Sequence, residues 1–325
     1  QSAGSHPGPV CYGLGNDRPT VTDANVVLGR INADKPIGGN LESLDVEGAR
    51  GAIDKHVASP LGLDVMAAAE AIIRVANSKM AGAIRLVSIE RGFDPQQFSA
   101  MPFGGGGALH TGALIKEVGL GSAIVPRFPG VTSALGCVVA DMRHDRVQTV
   151  NRMLDDVDTS QLGKEMEAVA AEIEAMLRAA SIEFLSIDRF YEFDMLYLGQ
   201  THTVRVPVEM PRDGKGLASN GICEAFEMTY REAFGRLLPG ISMRLMNYRV
   251  AVVGRRPKFD MAAFAPADGK TADTCRIGRR RVFADGRYHD AAVYERLDLA
   301  IGSNILGPAL LEQADTTVFV DPGLM

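Results

Sequence analysis

Four consecutive glycines, Gly104–Gly107, stand between a short extended segment ending at Phe103 and a helical segment running to Val118. Without a Cβ the backbone comes close to whatever it faces, and the first turn of the following helix leaves N–H groups unpaired. Ser122 to Val125 reads as an apolar strand, so the order is strand, turn, helix, strand, as in an α/β layer. The turn meets neither common phosphate-binding pattern. It lacks the Lys-Ser/Thr ending of a Walker loop, and it is not a Gly-x-Gly-x-x-Gly followed by a strand with a terminal acidic residue. On spacing alone, a tight structural corner and a ligand-binding turn fit equally well.

The rest of the chain alternates helical and extended patterns. A short helix is expected to about Arg30, capped by Thr22 or Asp23. Another is expected from Asp64 to Arg91, with Val65, Ile72, Met80, Ile84 and Val87 at helical spacing. Gly130 to Asp141, rich in small apolar residues, reads as a buried helix. Asp158 opens an amphipathic helix whose apolar face carries Leu162, Met166, Val169, Ile173 and Leu177. Residues 190–197 and 201–208 alternate as strands around Leu198-Gly199-Gln200, followed by a helix over 219–234 and a strand over 242–253. After a Pro- and Gly-containing stretch come short strands, with Asp285-Gly286 as a hairpin turn. The expected organisation is an α/β lobe over 1–152, a helix and strand region over 153–256, a linker over 257–274, and a β-rich C-terminal module over 275–325, cut short at its end.

A net charge of −6 argues against a surface that tracks nucleic-acid phosphates. The basic run Arg276 and Arg279 to Arg281 reads as a solvated loop edge before a strand. The cysteines, Cys11, Cys137, Cys223 and Cys275, form no Cys-x-x-Cys pair, which fits neither a zinc knuckle nor a disulfide framework and favours a reducing cytoplasm. No stretch has the length of a membrane span or the order of a signal peptide. The start at Gln1, in a loop-like run to Pro9, suggests a piece of a longer protein.

Taken singly, the polar candidates have ordinary readings. His110, in the first turn after the glycines, is more readily a packed or solvated histidine than a ligand-facing one. Asp23 and Asn25 suit helix capping, Asp194 and Gln200 a hydrogen-bonded strand corner, and His202 a half-buried strand position. No set of residues has metal-ligand spacing, and no nucleophile with a base is assembled by spacing. Catalytic residues therefore stay unassigned.

Read together, ordered strings resemble the hydantoinase A/oxoprolinase family, which includes the nucleotide-binding subunits of acetone and acetophenone carboxylases. They begin with Ser2-Ala3-Gly4, Pro7-Gly8-Pro9-Val10-Cys11-Tyr12-Gly13 and Pro19-Thr20-Val21-Thr22-Asp23-Ala24-Asn25, with Leu28-Gly29-Arg30. They continue through Phe103-Gly104-Gly105 with Gly107, Leu109 and His110, then Pro129-Gly130-Val131 and Ser133-Ala134-Leu135-Gly136. Asp141-Met142-Arg143-His144-Asp145, Asp194-Met195 with Tyr197 and Gly199-Gln200, and Gly307-Pro308-Ala309 with Asp321-Pro322-Gly323 complete the series.

The resemblance implies an α/β fold, part of an actin- and hexokinase-like (ASKHA-type) nucleotide-binding architecture followed by a small β-rich C-terminal module. It implies ATP and Mg2+ as cofactors, both needing phosphate loops that lie upstream in the family and are not in this sequence. Gly104, Gly105 and Gly107, with Gly106 in the same turn and His110 beside it, would line the adenosine side. Asp23 and Asn25 would support the cleft, and Asp194 and Gln200 would be structural or substrate-facing. The implied partners are the N-terminal lobe of the same chain, a large hydantoinase B-type subunit, and a cyclic amide or ketone substrate. The implied activity is ATP-dependent hydrolysis of a cyclic amide, with ketone carboxylation or a non-catalytic scaffold as alternatives. Two positions depart from the family's turn: Gly106 replaces a small non-glycine residue, and Ala108 replaces a proline.

Overall fold

The computed structural model describes residues 3–39, 41–211, 217–264 and 269–325. Its main elements, separated by loops and single helical turns, are α1 (Val21–Val27), α2 (Val46–Ile53), α3 (Val65–Val87), β1 (Ser99–Ala100), α4 (Thr111–Val118), β2 (Ser122–Ala123) and α5 (Thr132–Val139). They continue as β3 (Met142–Met153), α6 (Thr159–Ala179), β4 (Ser186–Tyr197), β5 (Val204–Val208), α7 (Ser219–Phe234) and β6 (Met243–Arg255). The last are β7 (Arg276–Ala284), β8 (Arg287–Glu295), β9 (Ala309–Gln313) and β10 (Thr316–Val320). No single helix among the described residues is long and apolar enough to cross a membrane.

Contacts divide the chain into two units, one made of the residues up to Cys137 with those from Met261 onward, the other of Val138–Asp260. These divisions differ from the expected ones at 152, 256 and 274. The reason is a shared core in the first unit: Ala24, Leu28, Ile53, Ala69 and Ile73 cluster with Val282, Phe283, Leu310 and Phe319. Burying such aliphatic and aromatic side chains contributes roughly 1.5–3 kcal/mol each, so neither segment completes its core alone. The expected linker falls partly outside the described residues.

In this first unit, α3 starts where the Asp64 carboxylate accepts hydrogen bonds from Met66 N and Ala67 N. Its buried stripe is Met66, Ala69, Ile73, Asn77 and Ala81, at helical spacing. The cap of α1 is Thr20, not Thr22 or Asp23. Asp23 is the third helical residue: its N–H donates to Thr20 Oγ1 and its carboxylate accepts from Thr20 N, closing a capping box. The four strands at the C-terminal end form a sheet in the order β10-β9-β8-β7, antiparallel except for the β8–β9 pair. Asp285 and Gly286 both have positive φ, 52° and 73°, which matches the two-residue hairpin turn expected between β7 and β8. The basic run is not a loop edge: it lies in β7, where Arg280 pairs with Glu312 at 2.7 Å and Arg281 stacks over Tyr288 at 3.7 Å.

The second unit is an antiparallel sheet, β3-β6-β4-β5, with α6 and α7. Asp158 caps α6 through Gln161 N, and the apolar face read from the sequence is buried throughout: Leu162, Met166, Val169, Ile173 and Leu177. These pack in one cluster with Phe193, Met195, Tyr197, Phe226 and Val250. β5 begins at Val204, so His202 stands outside the strand and is exposed rather than half-buried. α5 also departs from expectation, because none of its residues is buried although its composition is apolar. Composition identified the helix but carries no information about what covers it.

Candidate functional site

The glycine turn is held from both sides within the first unit. Gly104, at φ +83°, donates its N–H to Pro129 O at 2.7 Å, and Gly105 O accepts from Thr316 Oγ1 at 3.0 Å. Leu109 N and His110 N then bond to Gly106 O and Gly107 O in a short 3-10 turn, so α4 begins only at Thr111, later than the Ala108 expected. The N–H groups of Gly105 and Gly106 have no hydrogen-bond partner among the described residues. A Cβ at Gly105 would stand 3.3 Å from Ile37 Cγ2, whereas at Gly104 and Gly106 it would meet nothing within 4 Å. Gly105 is thus the position where the turn packs closely. Ala108, at the departure from the family's proline, is fully buried.

Gly105 and Gly106 open onto a cavity of about 200 Å³ that Asn25 and His110 also line, among apolar walls including Ile37, Leu44 and Leu109. Among the described residues, no Lys, Arg, Asp or Glu lines it. The structure therefore brings together four of the sequence-selected residues, Gly105, Gly106, Asn25 and His110. Tyr12, from the turn Val10–Tyr12, also lines the cavity and was not singled out by sequence.

His110 is 8% exposed, and its Nδ1 lies 2.7 Å from Asn77 Oδ1 on α3. Burial lowers the imidazole pKa, and the nearby Arg30 guanidinium lowers it further, so the ring favours the neutral form. Asn77 escaped the sequence reading, yet a signal was present: an amide set in the buried stripe between Ile73 and Ala81 needs a polar partner. Because folded His110 binds a proton more weakly than the unfolded chain does, its contribution to stability is full above the ordinary imidazole value of about 6.5. It is lost as pH falls from there through the lower folded value. Thermal unfolding between pH 7.5 and 5 should show a steeper loss for the native chain than for His110→Gln, and parallel pH profiles would refute this.

Asp23 is fully buried but is not a cavity-lining group. Its carboxylate accepts from Val10 N, Cys11 N, Thr20 N and Thr20 Oγ1, which ties the Val10–Tyr12 turn to α1. Asp194 and Gln200 belong to the second unit. Arg249 and Asn247 donate to Asp194, outweighing its burial and holding its carboxyl below the usual range. Gln200 Nε2 donates to Tyr230 Oη at 2.6 Å. Asp194 sits in an ion-paired strand network and Gln200 in a polar corner. Among the described residues, no three His, Cys, Asp or Glu side chains are grouped to hold a metal ion.

Comparison with known proteins matches residues 1–146 to the hydantoinase/oxoprolinase family and residues 156–325 to the hydantoinase/oxoprolinase C-terminal domain. The caprolactamase subunit alpha of Pseudomonas jessenii is 33% identical over 336 residues, covering 99% of this chain and 47% of that one. The acetophenone carboxylase gamma subunit of Aromatoleum aromaticum is 31% identical over 335 residues, covering 99% and 45%. Among solved structures, ATP-dependent caprolactamase from Pseudomonas jessenii superposes with a TM-score of 0.71 at 31% identity, over 99% of this chain and 47% of that one. The likeness carries the expected α/β, actin- and hexokinase-like architecture with a β-rich C-terminal part. The chain spans about half the length of the curated relatives it matches.

Proposed function

Because this chain belongs to the hydantoinase/oxoprolinase family, we propose that it is part of an ATP-dependent enzyme that opens a cyclic amide, with its glycine turn on the base side of the nucleotide. The observation that carries the reading is the cavity at that turn. It is small, it has two glycine N–H groups without a partner among the described residues, and the described residues lining it include no Lys, Arg, Asp or Glu, while His110 favours its neutral form. Such walls suit an uncharged heterocycle and not a triphosphate, whose charge calls for cations or a helix N-terminus. The residues present thus fit the base end of ATP. The phosphates and Mg2+ would be held by the upstream loops that the resemblance assigns to the family.

Bound ATP would supply a phosphoryl group to the substrate's carbonyl oxygen, with ADP as the leaving group, and this would turn a poor electrophile into one that water attacks. Within this chain, Gly104–Gly107 would bring backbone against the base, His110 and Asn25 would present polar atoms to it, and Asp23 would keep the Val10–Tyr12 turn in place. Asp194 and Gln200 are assigned a structural role in the second unit. Relatives named as subunits support a hetero-oligomer, with a large B-type subunit as the partner. The four free cysteines suit a reducing cytoplasm, where we place the enzyme. The 31% identity to the acetophenone carboxylase subunit favours a second reading, in which the same nucleotide site serves ketone carboxylation. A scaffold role without nucleotide is the outcome if no binding is found.

Calorimetric titration of the full chain with ATP and AMP tests the nucleotide site. Lactam-dependent phosphate release, set against bicarbonate-dependent ketone consumption, separates the two activities. Gly105→Val pushes a branched side chain toward Ile37 and Asp315 O, and is expected to weaken AMP and ATP binding about 10-fold, roughly 1.4 kcal/mol, with little change in fold. Gly82→Ala, inside α3 with open space around its Cβ and no part in the cavity lining, serves as the control. Unchanged affinity in Gly105→Val would remove the turn from the nucleotide site.

A further inference from the structure

Two residues that line the cavity, Asn25 and His110, each carry a hydrogen-bond acceptor that no protein donor meets among the described residues. Asn25, 2% exposed, donates from Nδ2 to Val21 O at 3.1 Å. A carbonyl takes a hydrogen bond only from the amide nitrogen, so this contact fixes the amide's orientation and leaves Oδ1 as the free end. Oδ1 is buried and has no hydrogen-bond partner. At His110, the 2.7 Å contact to Asn77 Oδ1, which only accepts, places the proton on Nδ1. In the neutral ring Nε2 then carries a lone pair, and no hydrogen bond to it exists among the described residues.

Leaving buried acceptors unpaired is costly, and a ligand with N–H donors relieves that cost. Phosphate and carboxylate oxygens would face these lone pairs unfavourably. A lactam offers one N–H with a carbonyl oxygen beside it, whereas a primary amino group on an aromatic ring offers two N–H bonds that diverge toward two acceptors. Resting on the nucleobase reading above, we propose that Asn25 Oδ1 and His110 Nε2 accept the two hydrogens of the adenine exocyclic amino group and select 6-amino over 6-oxo purines. Asn77 is the positioning residue, since it holds the histidine in the tautomer that accepts. A 6-oxo purine would point a third acceptor at the pair, and its single N–H at N1 could meet at most one of them.

The test is calorimetric titration of the full chain with ADP and with IDP, which differ at the 6-position and carry the same phosphates. ADP is expected to bind at least about 10-fold more tightly than IDP. Asn25→Leu, which removes one acceptor, should shrink that ratio to about threefold or less. Equal affinities of the native chain for ADP and IDP would overturn the acceptor pair while leaving the nucleotide site standing. Binding of neither would overturn both. The native comparison decides without relying on a variant, and Asn25→Leu binding with the native ratio would assign the selectivity elsewhere and overturn the role of Asn25.

Discussion

Alanine at Gly29 is expected to destabilise the first unit by about 3 kcal/mol, against about 1 kcal/mol for alanine at Gly119. Both glycines have positive φ, +77° and +82°, and both follow a helix, so both substitutions carry the backbone cost of a left-handed conformation. They differ in what a Cβ would touch. At Gly119 nothing lies within 4 Å, whereas at Gly29 the Cβ would fall 2.4 Å from Arg281 O and 3.5 Å from Val282 Cα. That obstacle cannot turn aside as a side chain would. Arg281 and Val282 are paired with Asp290 and His289 across β7 and β8, and Phe283 N donates to Leu28 O at 2.9 Å, holding the end of α1 against β7. Urea unfolding should show the larger drop in midpoint at Gly29 with an unchanged slope, and equal drops would mean that the two segments part readily there.

That contact between residue 29 and residue 281 is also what local pattern could not reveal. α3 and α6 were legible because each announces itself within a few residues: Asp64 or Asp158 as a cap, then an apolar stripe at helical spacing. The β7–β8 hairpin was legible for the same reason, since Asp285-Gly286 supplies two positive φ angles in sequence. By contrast, the core that joins Ala24, Leu28 and Ile73 to Val282, Leu310 and Phe319 depends on pairing across most of the chain. Periodicity tells which face of an element is apolar and not which other face meets it. The C-terminal strands therefore read as a separate module although they complete the first unit's core, and α5 read as buried although its own residues are not.

The candidate site was legible in the same uneven way. Backbone needs select glycine by type, so Gly104–Gly107 stood out, and His110 and Asn25 came with it through the family strings. Asn77 and Tyr12 reach the site from α3 and from the Val10–Tyr12 turn, and their relevance exists only once α3 is folded against the start of α4. The ordinary reading of Asp23 as a helix-start residue was right in kind and too small in scope. Besides closing the capping box, its carboxylate gathers two amides from the preceding turn, at 3.1 and 2.8 Å, which no spacing rule anticipates.

Asp23→Ala should accordingly cost about 4 kcal/mol, because it strips a buried acceptor from three backbone amides and a hydroxyl at once. Oδ1 holds Cys11 N at 2.8 Å, and Oδ2 holds Val10 N, Thr20 N and Thr20 Oγ1 at 3.1, 2.7 and 2.8 Å. Asp23→Asn keeps one oxygen and turns an N–H2 toward donors, so its loss should be smaller than that of alanine but still evident in the urea midpoint. A local readout separates loosening of this turn from a general fall in stability. Cys11 is 1% exposed, and burial, together with the Asp23 carboxylate, pushes its thiol pKa up, so it resists alkylation in the native chain. Release of the Val10–Tyr12 turn in Asp23→Ala should speed alkylation of Cys11 while Cys275, 2% exposed elsewhere in the same unit, keeps its protection. Because Tyr12 lines the cavity, affinity for the nucleotide proposed to bind there should fall with it. A variant with native midpoint and a protected Cys11 would show that the bonds from Val10 N and Cys11 N to Asp23 do not hold the turn, and the cavity's wall at Tyr12 would need another anchor.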